Sequence, residues 1–177
     1  MTKIDVMFSK HSDEYETPID LYRVLDGIFG FTLDPAASRL SFMHPNYYTI
    51  EDDGLSKDWA GEVCFINPPY SKLGAWSQKA SLEFSVNGVE IAMLIPARTE
   101  TRYWHDNIWN AAHYIVFLKG RLKFINKTLP SYATGGKPSS APFPSAVALY
   151  MARDLAKDEH LTLVKLGHVI NLFELGE

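Results

Sequence analysis

The chain has one cysteine in 177 residues. A single thiol excludes an intrachain disulfide. Cys64 sits inside an apolar run, so it reads as a packed core side chain of an intracellular, cytoplasmic protein. No run of about 18 apolar residues exists, so no transmembrane helix and no membrane partner are expected. The stretch Met1–Asp5 lacks an apolar signal region. The six histidines show no metal-ligand spacing, and no metal site is expected. There is no Walker-type glycine loop to cradle phosphates, and no internal repeat.

Carboxylates are unevenly missing. Residues 1–60 hold 11 acids and 5 bases, whereas residues 107–153 hold no acid and 6 bases: Lys119, Arg121, Lys123, Lys127, Lys137 and Arg153. The net charge of −4 argues against general nucleic-acid affinity. A stretch without carboxylates can nevertheless lie beside phosphates unrepelled. The same cluster also fits a solvated basic face.

The length fits a single domain, 1–177, with a full core. Residues 1–13 are polar and irregular, an expected mobile arm. Thr17 suits an N-cap, Pro18 a first helical position and Asp20 a capping-box acid, with Leu21, Val24, Leu25 and Ile28 on one helical face. Phe31–Leu33 reads as a short strand, followed by Asp34-Pro35-Ala36-Ala37. A further short strand is expected around 47–50, then the acidic turn Glu51-Asp52-Asp53-Gly54. A helix is expected over about 73–85, strands over 89–95, 114–118 and 146–151, and a helix over about 102–112. Residues 119–124 alternate as a strand, and 126–142 read as a long loop. Residues 152–177 form an extension of a short helix and one further element.

What is present centres on Phe65-Ile66-Asn67-Pro68-Pro69-Tyr70. Val63–Ile66 is an apolar run of β-formers and reads as a buried strand. It stops at two prolines, which cannot donate to a ladder and push the residue before them into extended geometry. The Asn67 side-chain oxygen and the Pro68 carbonyl can then face one small space, with the Tyr70 ring beyond. Two acceptors and a ring suit a planar group bearing an amino substituent.

Asn67-Pro68-Pro69-Tyr70 resembles the catalytic motif of S-adenosylmethionine-dependent amino-group methyltransferases, above all those acting on adenine N6 in DNA. Thr17-Pro18, Asp34-Pro35-Ala36-Ala37, Asp52-Asp53, the Asn67 motif, Gly120-Arg121 and Pro142-Phe143-Pro144-Ser145 occur in that order. The set is similar to phage-encoded, Dam-type DNA adenine methyltransferases over roughly residues 14–151. The resemblance implies an α/β fold of the Rossmann-like class I methyltransferase type, reduced in size. Its sheet would be mostly parallel, with helices on both faces and an antiparallel C-terminal hairpin.

The resemblance also implies S-adenosylmethionine as cofactor, double-stranded DNA as partner and, for a phage protein, the bacterial host cytoplasm. Catalytic roles fall on Asn67, Pro68, Pro69 and Tyr70. Cofactor contacts fall on Tyr15, Thr17, Pro18, Asp34, Pro35, Ala36, Ala37, Asp52, Asp53 and Asn67. DNA contacts fall on Ser71, Lys72, Arg98, Lys119, Arg121, Lys123, Lys127 and Lys137, with residues 119–145 as the recognition region. Similar tetrapeptides occur in enzymes that methylate cytosine N4, RNA guanine or protein glutamine. Those acceptors, and a non-catalytic DNA-binding module of the same fold, stay open at this point.

Overall fold

The computed structural model describes residues 16–39, 41–124 and 139–173. The arm 1–13, Tyr15, Lys127, Lys137 and most of the 126–142 loop lie outside the described residues. Among the described residues there are seven strands: β1 (Val63–Ile66), β2 (Glu90–Pro96), β3 (Tyr114–Leu118), β4 (Lys123–Phe124), β5 (Ser139–Ser140), β6 (Ser145–Tyr150) and β7 (Gly167–Asn171). The described α-helices are α1 (Ile19–Phe29), α2 (Leu73–Asn87) and α3 (Lys157–Leu166).

The main sheet has the order β1-β2-β6-β3-β7. β1 and β2 are parallel, with Cys64 opposite Ile91. β6 is antiparallel to β2 on one side and β3 on the other, and β7 is antiparallel to β3. The sheet is therefore mixed, which corrects the expectation of a mostly parallel one. The physical reason lies in β6. Every residue of β6 is buried, and its small Ala146 and Ala148 alternate with Val147 and Leu149. A strand apolar on both faces belongs in the interior of a sheet. It enters between β2 and β3 and separates them. β1, β2 and β3 still point the same way, so their C-terminal ends share one edge.

Both faces are covered. Leu21, Tyr22, Leu25 and Phe29 of α1 and Leu163 of α3 pack with Phe65, Leu94 and Val147. Tyr22 meets Phe65 edge-on at 5.2 Å, and Phe29 stacks on Phe31 at 5.4 Å. Such ring pairs add about 0.5–1.5 kcal/mol beyond area burial. On the opposite face Leu73, Trp76 and Ala80 of α2 pack with Cys64, Ile91 and Met93. Cys64 is fully buried, and burial pushes its thiol well above the usual range.

Four other elements differ from expectation. Phe31–Leu33 is not a strand; it touches the sheet through a single parallel bridge, Leu33 to Cys64, and the next residue, Asp34, bridges to Tyr47 outside the sheet. The expected strand over 47–50 is likewise reduced to that bridge. The helix over 102–112 becomes a π-helical turn at Trp104–Ile108. Tyr103 OH and Trp104 Nε1 both donate to the Pro96 carbonyl, at 3.2 and 3.1 Å, and tie that turn to the end of β2. The strand over 119–124 shrinks to β4, because Gly120 at φ 77° turns the chain out of the main sheet. β4 pairs instead with β5, Lys123 opposite Ser140.

Candidate functional site

The shared C-terminal edge of β1, β2 and β3 positions the site. β1 ends at Ile66, and Asn67-Pro68-Pro69 follows outside any strand or helix, with Pro69 extended at ψ 125°. A 3-10 turn, Tyr70–Lys72, then leads into α2. Asn67 is half-buried and Pro68 buried. A cavity of about 120 Å³ opens beside Asn67 and Pro69. Its other walls include Thr17, Asp34, Ala36, Ala37 and Ser38. Ser41, Met43 and Ile50 complete it.

Thr17 is not the helix cap that its place before Pro18 implies. The N-cap position falls on Pro18, and no side chain caps the helix. The Thr17 side chain, 4% exposed, turns to the sheet, where its hydroxyl accepts a hydrogen bond from Asn67 Nδ2 at 3.0 Å. The segment that leads into α1 is thereby tied to the double-proline corner across fifty positions of sequence.

Asp34 sits where the chain leaves its bridge to Tyr47, 4% exposed. Its carboxylate accepts from the Met43 N–H at 2.9 Å and the Ala36 N–H at 3.3 Å. Burial raises its pKa to about 6, against which those two backbone bonds pull down. No lysine or arginine among the described residues pairs with it. The cavity therefore holds a buried carboxyl whose ionised form a cationic ligand would favour.

The wall at 49–54 is a turn clamped from two sides. The Thr49 backbone N–H and hydroxyl both donate to Asp52 Oδ2, at 2.9 and 2.7 Å. These bonds, the backbone one first, hold the Asp52 carboxyl below its ordinary value. Asp53 adopts φ 53°, and Gly54 then packs so closely that a Cβ there would stand 2.0 Å from the Pro35 carbonyl oxygen. On the other side Trp59 Nε1 donates to the Gly54 carbonyl at 3.0 Å. Asp52 and Asp53 are exposed and do not line the cavity. Ile50 does, although 78% exposed.

The cavity thus brings Thr17, Asp34, Ala36, Ala37 and Asn67 together. Pro18, Pro35 and Pro68 are their chain neighbours, and Tyr70 lies outside the lining. The Tyr70 ring meets Phe143 edge-on at 5.3 Å, so Asn67-Pro68-Pro69-Tyr70 and Pro142-Phe143-Pro144-Ser145 are in contact. Ser71, Lys72, Arg98 and Lys119 are exposed just past the ends of β1, β2 and β3, with Arg98 3.4 Å from Glu100. Arg121 and Lys123 are exposed on the way into β4.

Sequence reasoning missed Ser38, Ser41, Met43 and Ile50 as lining residues. Ile50 carried a signal: an isoleucine in front of three acids in a turn has no core to enter. The Thr17–Asn67 bond had no local signal. Among the described residues no group of His, Cys, Asp or Glu could hold a metal ion, and no helix is long and apolar enough to cross a membrane.

The family model for DNA N-6-adenine-methyltransferase (Dam) matches residues 6–166. The chain belongs to that family. A DNA N-6-adenine-methyltransferase of Haemophilus phage HP1 (strain HP1c1) is 27% identical over 128 residues, 71% of this chain and 73% of that protein. As a member of the DNA N-6-adenine-methyltransferase family, the chain is an adenine-specific DNA methyltransferase. Membership makes DNA the substrate and implies S-adenosylmethionine as methyl donor.

Proposed function

We propose that Asn67 stands between two subsites, S-adenosylmethionine on its Asp34 side and a flipped-out adenine on its Tyr70 side. The observation that carries this reading is the position of Asn67. It lines the cavity with Thr17, Asp34, Ala36 and Ala37, while its chain runs on through Pro68-Pro69 to the Tyr70 ring. The residues present fit the cofactor. The buried Asp34 carboxyl, held by two backbone N–H groups and by no lysine or arginine among the described residues, suits a cationic group, and two alanines leave room at the backbone. Exposed Ile50 offers an apolar face at the rim. The common direction of β1, β2 and β3, with β6 inserted against them, supports a class I methyltransferase fold.

When bound, S-adenosylmethionine supplies an electrophilic methyl on a sulfonium. The chain's own residues do the rest. Adenine must leave the duplex at a cost of a few kcal/mol. Stacking on Tyr70 offsets roughly 1–3 kcal/mol of that. The N6 lone pair is delocalised into the purine. Asn67 Oδ1 and the Pro68 carbonyl accept its two hydrogens, turn the lone pair toward the methyl and stabilise positive charge growing on nitrogen. Exposed Ser71, Lys72, Arg98, Lys119, Arg121 and Lys123 follow the strand ends where a duplex would lie, which supports their role toward phosphates. Lys127 and Lys137 continue the same basic stretch.

The test is nucleoside analysis of DNA treated with protein and labelled cofactor. N6-methyladenine is the expected product. Asn67→Ala should lower turnover by about 10²–10³-fold, with cofactor binding retained by calorimetry. Unchanged turnover would overturn the role of Asn67.

A further inference from the structure

We propose that the outer edge of β7, with the exposed side of α3, is the interface of a symmetric dimer of this chain. The inference is independent of the catalytic reading of Asn67. The two edges of the main sheet are finished differently. The β1 edge is closed by the chain itself: the Thr32 N–H donates to the Val63 carbonyl at 2.8 Å, and the Phe65 N–H to the Leu33 carbonyl at 3.0 Å. β7 is the last strand at the other end, and among the described residues nothing pairs with its outer side. Its sequence, Gly167-His168-Val169-Ile170-Asn171, has no lysine, no acid and no proline. Those are devices that keep an open edge from pairing.

The register shows which backbone groups are on offer. The Lys119 N–H donates to the Leu166 carbonyl and the Leu172 N–H to the His113 carbonyl, both at 2.9 Å. With Phe117 opposite His168 and Ile115 opposite Ile170, the alternate residues Leu166, His168, Ile170 and Leu172 turn their backbone groups toward β3. Gly167, Val169 and Asn171 turn theirs outward. The Gly167 N–H is taken by the Leu163 carbonyl. The Gly167 carbonyl and both backbone groups of Val169 and Asn171 are left on the open edge. This set is self-complementary. A two-fold axis through Val169 pairs that residue with its own copy through both groups. Each Asn171 N–H then meets the Gly167 carbonyl of the second copy. The two strands run antiparallel, and the two sheets become one.

The same axis lays the two α3 helices side by side on one face, antiparallel. Glu159 marks the inner side of α3. It accepts from Arg153 Nη1 at 2.7 Å, and Arg153 Nη2 donates to the Ile28 carbonyl of α1 at 3.3 Å. Leu161 and Val164 lie round the helix from Glu159 and are exposed. Leu161 and Asn171 border one cavity, so this side of the helix adjoins the open strand. A second copy would cover both apolar side chains. Charge fits the same pairing. Asp158 and Lys165 lie about 10 Å apart along α3, too far to meet within one helix. Antiparallel helices carry the Asp158 end of each toward the Lys165 end of the other, which also suits their dipoles.

The experiment is sedimentation equilibrium of the full chain without DNA, over roughly 1–100 μM. A monomer–dimer equilibrium is expected. Val164→Lys sets like charges across the axis and should weaken association by about tenfold or more. Val169→Pro removes an outward N–H and leaves the β3 ladder its bonds, and should weaken association by about tenfold. Val86→Lys, at an exposed apolar position on α2, should leave association unchanged. A wild-type chain that stays monomeric throughout overturns the inference, as does a dimer that survives Val164→Lys or one that Val86→Lys dissociates. Where Val169→Pro does not fold, Val164→Lys decides, since its position is exposed on a helix. Antiparallel pairing also points the catalytic edges of the two copies in opposite directions, so each copy works alone. Turnover per chain in Val164→Lys should stay within about twofold of wild type. A folded monomer with lost turnover would overturn that arrangement.

Discussion

The two walls of the cavity are held by different bonds. On the β1 side, Asn67 and Pro69 hang from a strand in register with β2, Phe65 opposite Ala92 and Ile66 opposite Met93. Backbone pairs with backbone there, and side chains are left to fill the core. On the other side, the described residues of 34–60 have bridges and turns in place of ladders. Side chains take up backbone groups instead: Asp34 those of Met43 and Ala36, Asp52 that of Thr49, Asp58 that of Ala60, and Trp59 the Gly54 carbonyl. A ladder is indifferent to most side chains. A wall of side-chain bonds is specified residue by residue, so equal substitutions should have unequal effects on the two sides.

The strongest way to break this contrast is a methyl group added to glycine on each side. Gly54→Ala drives a Cβ to within 2.0 Å of the Pro35 carbonyl oxygen. We expect a loss of roughly 3 kcal/mol, which lowers Tm by about 6–12 °C. A melt at the wild-type Tm would erase the distinction between the walls. The partner substitution closes this series as its smallest effect.

Asp34 sharpens the contrast through pH. Its carboxyl is raised from the ordinary 3.8 to about 6, chiefly by burial. A raised acid contributes its full stability below about pH 4 and loses it as pH rises through about 6. At pH 7 its buried charge costs on the order of 3 kcal/mol. Asp34→Asn removes that charge. The Tm difference, mutant minus wild type, should grow more positive from pH 4 to pH 7 in the absence of cofactor. Cofactor affinity of the wild type should weaken as pH falls below about 6, while that of Asp34→Asn should be weak throughout. A pH-independent Tm difference would remove Asp34 from this role.

Tyr70 belongs to the ladder side and stands outside the cavity lining. Tyr70→Ala should weaken capture of the target base by roughly 1–3 kcal/mol, read as a rise in KM for DNA, with cofactor affinity unchanged. Tyr70→Phe should be tolerated, and a dead Tyr70→Phe would assign the role to the hydroxyl. The smallest effect is at Gly74 in α2, where a Cβ would meet nothing within 4 Å. Gly74→Ala should stabilise by roughly 0.5–1 kcal/mol, seen as a small rise in Tm.

Legibility in the sequence divides along the same line. β1, β2, β3 and β6 were readable, because unbroken apolar runs bounded by proline or glycine mean buried strands. α2 was readable from Trp76, Ala80 and Phe84 at helical spacing. The direction of β6 was not, since nothing local in Ala146–Leu149 tells which neighbours it will find. The side-chain-held wall was nearly opaque. The carboxylates of Asp34, Asp52 and Asp58 look alike in a string of letters, yet one is buried in the cavity and two serve turns. Thr17 shows the same limit. Its neighbours made a cap the natural reading, and only the fold brings Asn67 within reach of its hydroxyl.

One consequence follows from where the lone thiol sits. Cys64 is fully buried in β1, and burial keeps it protonated in ordinary buffers. Maleimides react with thiolates at an accessible surface, so the native fold offers them no target. A cysteine introduced at exposed Lys123 would therefore be labelled alone, with no need to remove the natural one. A single fluorophore could be attached on the basic side of the molecule and its response to added duplex followed directly.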